Sequence, residues 1–121
     1  MQLYETIYIV KQDLDATTLK AVEDKYENLL KLKKATIEYK ENWGLRNLAY
    51  KIQNFKKGYY FMLVFNSDIE ALNELERNFK IDENIIRFLT TKIDSVPTEP
   101  SFIMKAKIEK ENSESMLNEE R

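Results

Sequence analysis

A run of seven consecutive apolar or aromatic residues, Tyr59 to Phe65, constrains the fold of this chain more than any other feature. Gly58 precedes the run and the polar Asn66 and Ser67 follow it, and its aromatic and β-branched residues are typical of a β-strand. A strand without alternating polar positions buries side chains on both faces. The sequence therefore predicts an inner strand that has more cover than helices on one side can give.

Strand patterns also occur on either side of this run. Residues 3–10 and 85–93 are predicted strands, and a long strand from Thr36 continues through Gly44 and Ile52 to a turn at residues 53–58. Two strands joined by a local turn are most simply an antiparallel hairpin.

Two segments instead have the 3.6-residue period of a helix. The first follows the predicted N-cap Asp15, and its apolar positions are Leu19, Val22, Tyr26, Leu29 and Leu30. The second begins with Ser67 and Glu70, which have capping-box spacing, and ends near Lys80. The order of elements predicts an α+β, ferredoxin-like split βαβ sandwich (β-α-β-β-α-β), with a four-stranded antiparallel sheet and two helices on one face.

The prolines Pro97 and Pro100 mark the expected end of the folded domain, which we place at residues 1–96. Residues 97–121 form a charged C-terminal tail that we expect to be disordered or to fold on a partner. The N-terminus lacks the basic region and cleavage site of a signal peptide, and this pattern predicts a cytoplasmic protein.

Composition excludes most familiar catalytic chemistry. The chain has no histidine and no cysteine, so it lacks the commonest general base, the commonest metal ligand and any thiol nucleophile. There is also no glycine-rich phosphate loop. We therefore expect a protein that is not an enzyme and holds neither a cofactor nor a metal.

The net charge of −2 argues against a protein that coats nucleic acid by bulk electrostatics. Local basic clusters remain, and each is by itself weak evidence because charge clusters usually form solvated surfaces. The clusters are Lys31, Lys33 and Lys34, then Lys51, Lys56 and Lys57, and a looser group of Arg77, Lys80 and Arg87.

The stretch from Glu41 to Ile52 contains the only tryptophan and one of only two glycines, where average usage would give about eight glycines. Gly44 therefore indicates a backbone need, such as a positive φ or a bulge. A strand bend without any functional contact would explain it equally well.

Two functions suit an open sheet of this topology. An RNA recognition motif would carry a basic-glycine-aromatic signature on its third strand, which Lys57 to Phe61 resembles only faintly, and the first strand has no companion motif. An assembly protein whose open sheet binds a protein partner as well as RNA better explains strands that are apolar on both faces.

Together with several further short segments, these residues resemble the bacterial small-subunit ribosomal protein S-six (S6) family along nearly the whole chain. The resemblance rests on Tyr4-Glu5, on Leu14-Asp15, on the specific signature from Trp43 to Ile52, on Gly58-Tyr59, on the passage from Phe79 to Arg87, and on Met104 to Lys107. Lys51 departs from the family, which commonly has proline there, and this puts the local rigidity of the strand in doubt.

The resemblance implies a structural protein that pairs with ribosomal protein S-eighteen (S18) and docks with it on the central domain of small-subunit rRNA. It also implies a chain that is monomeric when free. If Tyr59, Phe61, Leu63 and Phe65 face the helices, an apolar platform for the partner forms on the opposite face. Its residues would be Tyr60, Met62, Val64, Leu89, Leu3 and Ile7. The alternative is that some of these pack under the chain's own tail.

For RNA contact the expected residues are Arg46, Arg87 and Lys80, with Trp43 and Tyr50 as packing or stacking aromatics. Each cation has a structural alternative. Arg46 could pair with Glu41 or Glu38, Lys80 could complement a helix C-terminus, and Arg87 could meet a carboxylate of the partner.

Overall fold

The computed structural model describes residues 1–52 and 54–101, without the side chains of residues 49 and 50. Its elements in chain order are β1 (Gln2–Lys11), α1 (Ala16–Leu32), β2 (Thr36–Ile52), β3 (Phe55–Ser67), α2 (Ile69–Ile81) and β4 (Ile85–Lys92). The predicted order and the predicted ferredoxin-like α+β fold are thus confirmed.

The strands form one antiparallel sheet in the order β2-β3-β1-β4. The strand that contains the Tyr59–Phe65 run lies inside the sheet, between β2 and β1. β2 and β4 are the two edge strands.

The two helices start at capping aspartates. Asp15 caps α1 as predicted, and its carboxylate accepts the Thr18 N–H at 2.7 Å. The start of α2 differs from the prediction, because Asp68 is the N-cap and accepts the Ala71 N–H at 2.9 Å. Ser67 is fully buried at the end of β3, so the exposed Asp68 takes the capping role.

Neither helix is long and apolar enough to span a lipid bilayer.

The β2–β3 hairpin is tighter than predicted. Ile52 pairs with Phe55, and Asn54 has a φ of 70°, a left-handed conformation that asparagine tolerates in turns. The predicted turn residues Lys56, Lys57 and Gly58 therefore belong to β3. Gln53 lies outside the described residues.

The helices cover one face of the sheet with an aromatic core. Tyr8 contacts Tyr26, Phe61 and Phe79, and Tyr26 also contacts Phe79, with ring centroids 4.6 to 5.6 Å apart. As predicted, the β3 residues on this side are Tyr59, Phe61, Leu63 and Phe65. The opposite face of the sheet has no helix among the described residues, and the candidate site lies there.

Candidate functional site

The sheet face opposite the helices, which we call the open face, carries a second apolar cluster. Its members are the buried Trp43, Met62 and Val64 and the half-buried Leu3, Ile7, Tyr39, Tyr60 and Ile93. Strand register continues this surface to β4, because Leu89 pairs with Ile7 and Ile7 pairs with Met62. All six residues expected to bind a protein partner therefore share one face.

Residues 93–101, the return segment, run back over the open face after β4. The Ile93 N–H donates to the Leu3 carbonyl, and the Gln2 side-chain amide donates to the Ile93 carbonyl, each at 3.1 Å. At the other end, Ser101 donates its N–H and its hydroxyl to the Glu41 carboxylate at 2.9 and 2.5 Å. Since Glu41 lies in β2, the segment crosses from one edge strand to the other.

The return segment makes the exposure of the open face uneven. Met62 is 4% exposed and lines one depression with Pro97 and Glu99, and Val64 is fully buried. By contrast, Leu89 is 66% exposed, and Leu3, Ile7 and Tyr60 are half-buried. The alternative that the platform packs under the chain's own tail thus describes Met62 in this structure.

The predicted domain boundary at residues 96 and 97 falls within the return segment, which stays in contact with the sheet as far as Ser101. The remainder of the predicted tail, residues 102–121, lies outside the described residues.

Glu41 is a buried carboxylate that holds the end of the return segment. Besides the two Ser101 donors, it accepts the Tyr39 hydroxyl at 2.5 Å and the Trp43 indole N–H at 2.7 Å. Burial alone would raise the pKa of Glu41, but the hydrogen bonds from Ser101, Tyr39 and Trp43 outweigh it and hold the pKa below its ordinary value. The hydrogen bond to Glu41, with some burial, raises the pKa of Tyr39 to about 12.

Gly44 has the backbone role that the sequence indicated. Its φ is 75°, and the β2–β3 register shifts between Asn42 and Gly44, so the positive φ and the irregular pairing are both confirmed. The Asn42 side-chain carbonyl accepts the Gly44 N–H at 2.9 Å.

Trp43 is the extra residue at this irregularity, and its side chain lies in the open-face cluster. The indole stacks on Tyr60 with centroids 6.1 Å apart and an interplanar angle of 22°, and the residue is only 7% exposed. Of the two expected roles, packing or stacking on RNA, this geometry favours packing. Tyr50, the other aromatic candidate, has its side chain outside the described residues.

The three predicted RNA-binding cations are exposed, but they do not form one group. Lys80, in the last turn of α2, and Arg87, in β4, line the same depression of about 320 Å³. Arg46 lies opposite Gly58 on β2, the other edge strand. Three strand spacings of about 4.8 Å separate the edges, so an RNA that contacts both must span about 14 Å.

The structure bears differently on the structural alternatives for Arg46 and for Lys80. The Glu41 carboxylate already accepts hydrogen bonds from Ser101, Tyr39 and Trp43, and a pair of Arg46 with Glu38 stays a prediction. Lys80 does lie in the last helical turn, where its charge complements the helix dipole.

Residues 46–58, the basic hairpin, project beyond the sheet. In the described part of the chain, β1 pairs with β3 as far as Gly58, so the strand residues nearer the turn pair only within the hairpin. The hairpin has no acidic residue, and its exposed cations are Arg46, Lys51, Lys56 and Lys57. The sequence alone grouped the three lysines, but their shared projecting position became clear only from the strand pairing.

A group of carboxylates on α1 is the only candidate metal cluster among the described residues. Oxygen atoms of Glu23, Asp24 and Glu27 lie within 4.8 Å of one another. Lys20 pairs with Glu23 at 3.1 Å and with Asp24 at 3.2 Å, and Lys40 of β2 pairs with Glu27 at 2.9 Å. Because two lysines offset this charge and the Lys40 pair ties α1 to β2, the cluster has a structural explanation.

Comparison with known proteins identifies the family. Residues 3–92 match the family model described as Ribosomal protein S6. The small ribosomal subunit protein bS6 of Rickettsia bellii (strain RML369-C) is 46% identical over 105 residues, which cover 87% of this chain and 88% of the relative. The protein of the same name from Rickettsia prowazekii (strain Madrid E) is also 46% identical over 105 residues, 87% of each chain.

A solved structure agrees with the fold. The crystal structure of 30S ribosomal protein S6 from Thermotoga maritima matches with a TM-score of 0.72 and 24% identity, over 92% of this chain and 97% of its own. The family match and the relatives together decide the assignment: this chain belongs to the Ribosomal protein S6 family, whose members are structural, non-enzymatic components of the small ribosomal subunit.

Proposed function

We propose that this protein binds ribosomal protein S18 and that the pair docks on the central domain of small-subunit rRNA, in the cytoplasmic ribosome. The observation that carries the proposal is the separation of two surfaces with different chemistry. The basic hairpin projects from one end of the molecule, and the apolar open face lies on the side of the sheet away from the helices.

The basic hairpin suits RNA because its cations are exposed and have no acidic residue near them in sequence. Lysine and arginine bind phosphate, and each contact that neutralises a phosphate releases counterions. The pair of Lys80 and Arg87 offers a second contact for RNA at the other edge of the sheet. With a net charge of −2, these local surfaces rather than the overall charge would guide binding.

The open face suits a protein. Leu89, Ile7 and Tyr60 retain exposed apolar area in one patch. Glu5 and Glu41 line the depression beside that patch, and their carboxylates disfavour a phosphate backbone. The stand-alone RNA recognition motif gains little support, because Tyr60 is the only aromatic residue that β1 and β3 contribute to the open-face cluster.

A binding titration tests the proposal. The wild-type chain should bind a central-domain rRNA fragment weakly alone and strongly when S18 is present. Arg46→Ala and the double variant Lys56→Ala/Lys57→Ala should each weaken the ternary complex about 3- to 30-fold and reduce the salt dependence by about one phosphate contact per cation removed.

Lys33→Ala, at the C-cap of α1, is the control for Arg46→Ala, since it removes one exposed positive charge near the end of β2 that lies opposite the hairpin. It should bind as wild type does. Binding that is independent of S18 would overturn the protein partnership, and hairpin variants with wild-type affinity would overturn the assignment of the RNA surface.

A further inference from the structure

The return segment occupies the same face that the proposed function assigns to a protein partner. It begins at Ile93 beside β1, passes Met62 with Pro97 and Glu99, and ends at Ser101 on Glu41. A partner that uses Met62 as well as the exposed Leu89 therefore meets residues of this same chain first.

Hydrogen bonds at both ends attach the return segment to the sheet. At its start, Ile93 is bonded to Leu3 and to the Gln2 side chain, and at its end Ser101 donates two hydrogen bonds to Glu41. A depression of about 300 Å³ opens beside the segment, lined by Pro97 and Glu99 on one side and by Met62 of the sheet on the other, so packing along this part of the contact is incomplete. Fixing an extended segment costs conformational entropy, and loose packing repays little of that cost.

Carboxylates line the depression beside the return segment. Glu5, Glu41 and Glu99 all line the depression, and Glu41 is buried with acceptor-only oxygens. When the return segment leaves, the ionised Glu41 loses two donors and becomes an acceptor for any segment that replaces them. An N–H, a hydroxyl or a guanidinium group fits this position, whereas a phosphate does not.

We infer that the return segment is a placeholder for the protein partner: the partner displaces residues 97–101 from the open face and supplies its own hydrogen-bond donors to Glu41. This inference rests on the proposed function. It adds that Glu41 anchors the partner and that release of Ser101 precedes tight binding. The apparent affinity of the free protein for the partner is then the intrinsic affinity multiplied by the fraction of molecules in which the segment is released.

The test uses full-length variants that differ at the end of the return segment. Ser101→Pro removes both donors to Glu41 in one substitution, and Ser101→Ala removes only the hydroxyl. Thr98→Ala is the matched control, because it removes an exposed hydroxyl from the same segment. The readouts are the affinity for purified S18 by calorimetry and the quenching of Trp43, the only tryptophan, by acrylamide.

Ser101→Pro should bind S18 about 3- to 10-fold more tightly than wild type and make Trp43 easier to quench, because the closed population is removed. Ser101→Ala should give a smaller change in the same direction, and Thr98→Ala no change. Adding Glu41→Gln to Ser101→Pro should then weaken binding about 10-fold or more, since the competing segment is already released and only the anchor is changed.

The possible outcomes separate the proposed function from the placeholder role of the return segment. If wild type does not bind S18, the proposed function fails and this inference fails with it. If wild type binds but Ser101→Pro binds equally or more weakly, the function stands and the placeholder role is wrong. If Ser101→Pro instead raises affinity for the rRNA fragment without S18, the open face is an RNA surface and the inference is overturned.

Discussion

The two faces of the sheet belong to the same four strands but are covered by different parts of the chain. On one face, two helices seal a core in which Tyr8 contacts both Phe61 and Phe79 and all three are almost fully buried. On the other, among the described residues, the return segment covers part of an apolar cluster and is hydrogen-bonded to Leu3 at one end and to Glu41 at the other. The difference separates the two tasks of the sheet, since the first face supplies stability and the second leaves a surface for binding.

Truncation of one buried side chain on each face should give the largest difference in the free energy of unfolding between the two faces. Phe79→Ala should lower the free energy of unfolding by about 3 to 5 kcal/mol, because the cavity lies between rigid helices and the sheet. Met62→Ala should cost about 2 kcal/mol, near the low end for such changes, because the return segment can move into the space. Urea denaturation measures both values, and equal losses would show that the two faces are equally rigid.

Acid should loosen the open face through Glu41. Its pKa is lowered in the folded state, so the ionised form contributes stability that is present above the unfolded pKa and is lost as pH falls through the folded pKa. Glu41→Gln should lower the free energy of unfolding by about 1 to 2 kcal/mol at neutral pH. The difference in stability between the variant and wild type should disappear below about pH 4. Trp43 quenching and thermal melts over this pH range provide the measurement.

A carboxylate on the helix side serves as the control for this pH effect. Burial alone would raise the pKa of Asp82, but hydrogen bonds from Tyr26, the Asn84 N–H and Lys25 hold it below its ordinary value. Asp82→Asn should therefore lower stability while leaving the acid response of Trp43 intact. If Asp82→Asn abolished that response, Glu41 would not be its source.

The smallest expected effect concerns the backbone that directs Trp43 to the open face. Gly44→Ala should cost about 1 kcal/mol, because an alanine at a φ of 75° is in the left-handed region. Gly44→Asn should recover part of that loss, since asparagine tolerates this conformation. Chemical denaturation gives the stabilities, and equal losses for both variants would point to crowding rather than to backbone strain.

The elements and their faces could be predicted because they follow from local periodicity. Side chains alternate between the two faces of a strand, so Phe61 and Leu63 share one face and Met62 and Val64 the other, and the structure shows that the first pair faces the helices. The errors were also local. The hairpin turn is shorter than the sequence predicts, since β3 already begins at Phe55. The cap of α2 is Asp68 rather than Ser67, because the two neighbours have similar capping propensity and only the burial of Ser67 separates them.

The sequence by itself thus determined the order of elements, the fold class, the need for glycine at position 44 and the family resemblance. Only the tertiary structure decided that Lys80 and Arg87 line one depression while Arg46 lies on the other edge strand, and that Ser101 lies on Glu41. Glu41 and Ser101 are 60 residues apart in the chain, and no periodic pattern links residues at such a separation. Their contact follows instead from strand order and from the direction in which the chain leaves β4.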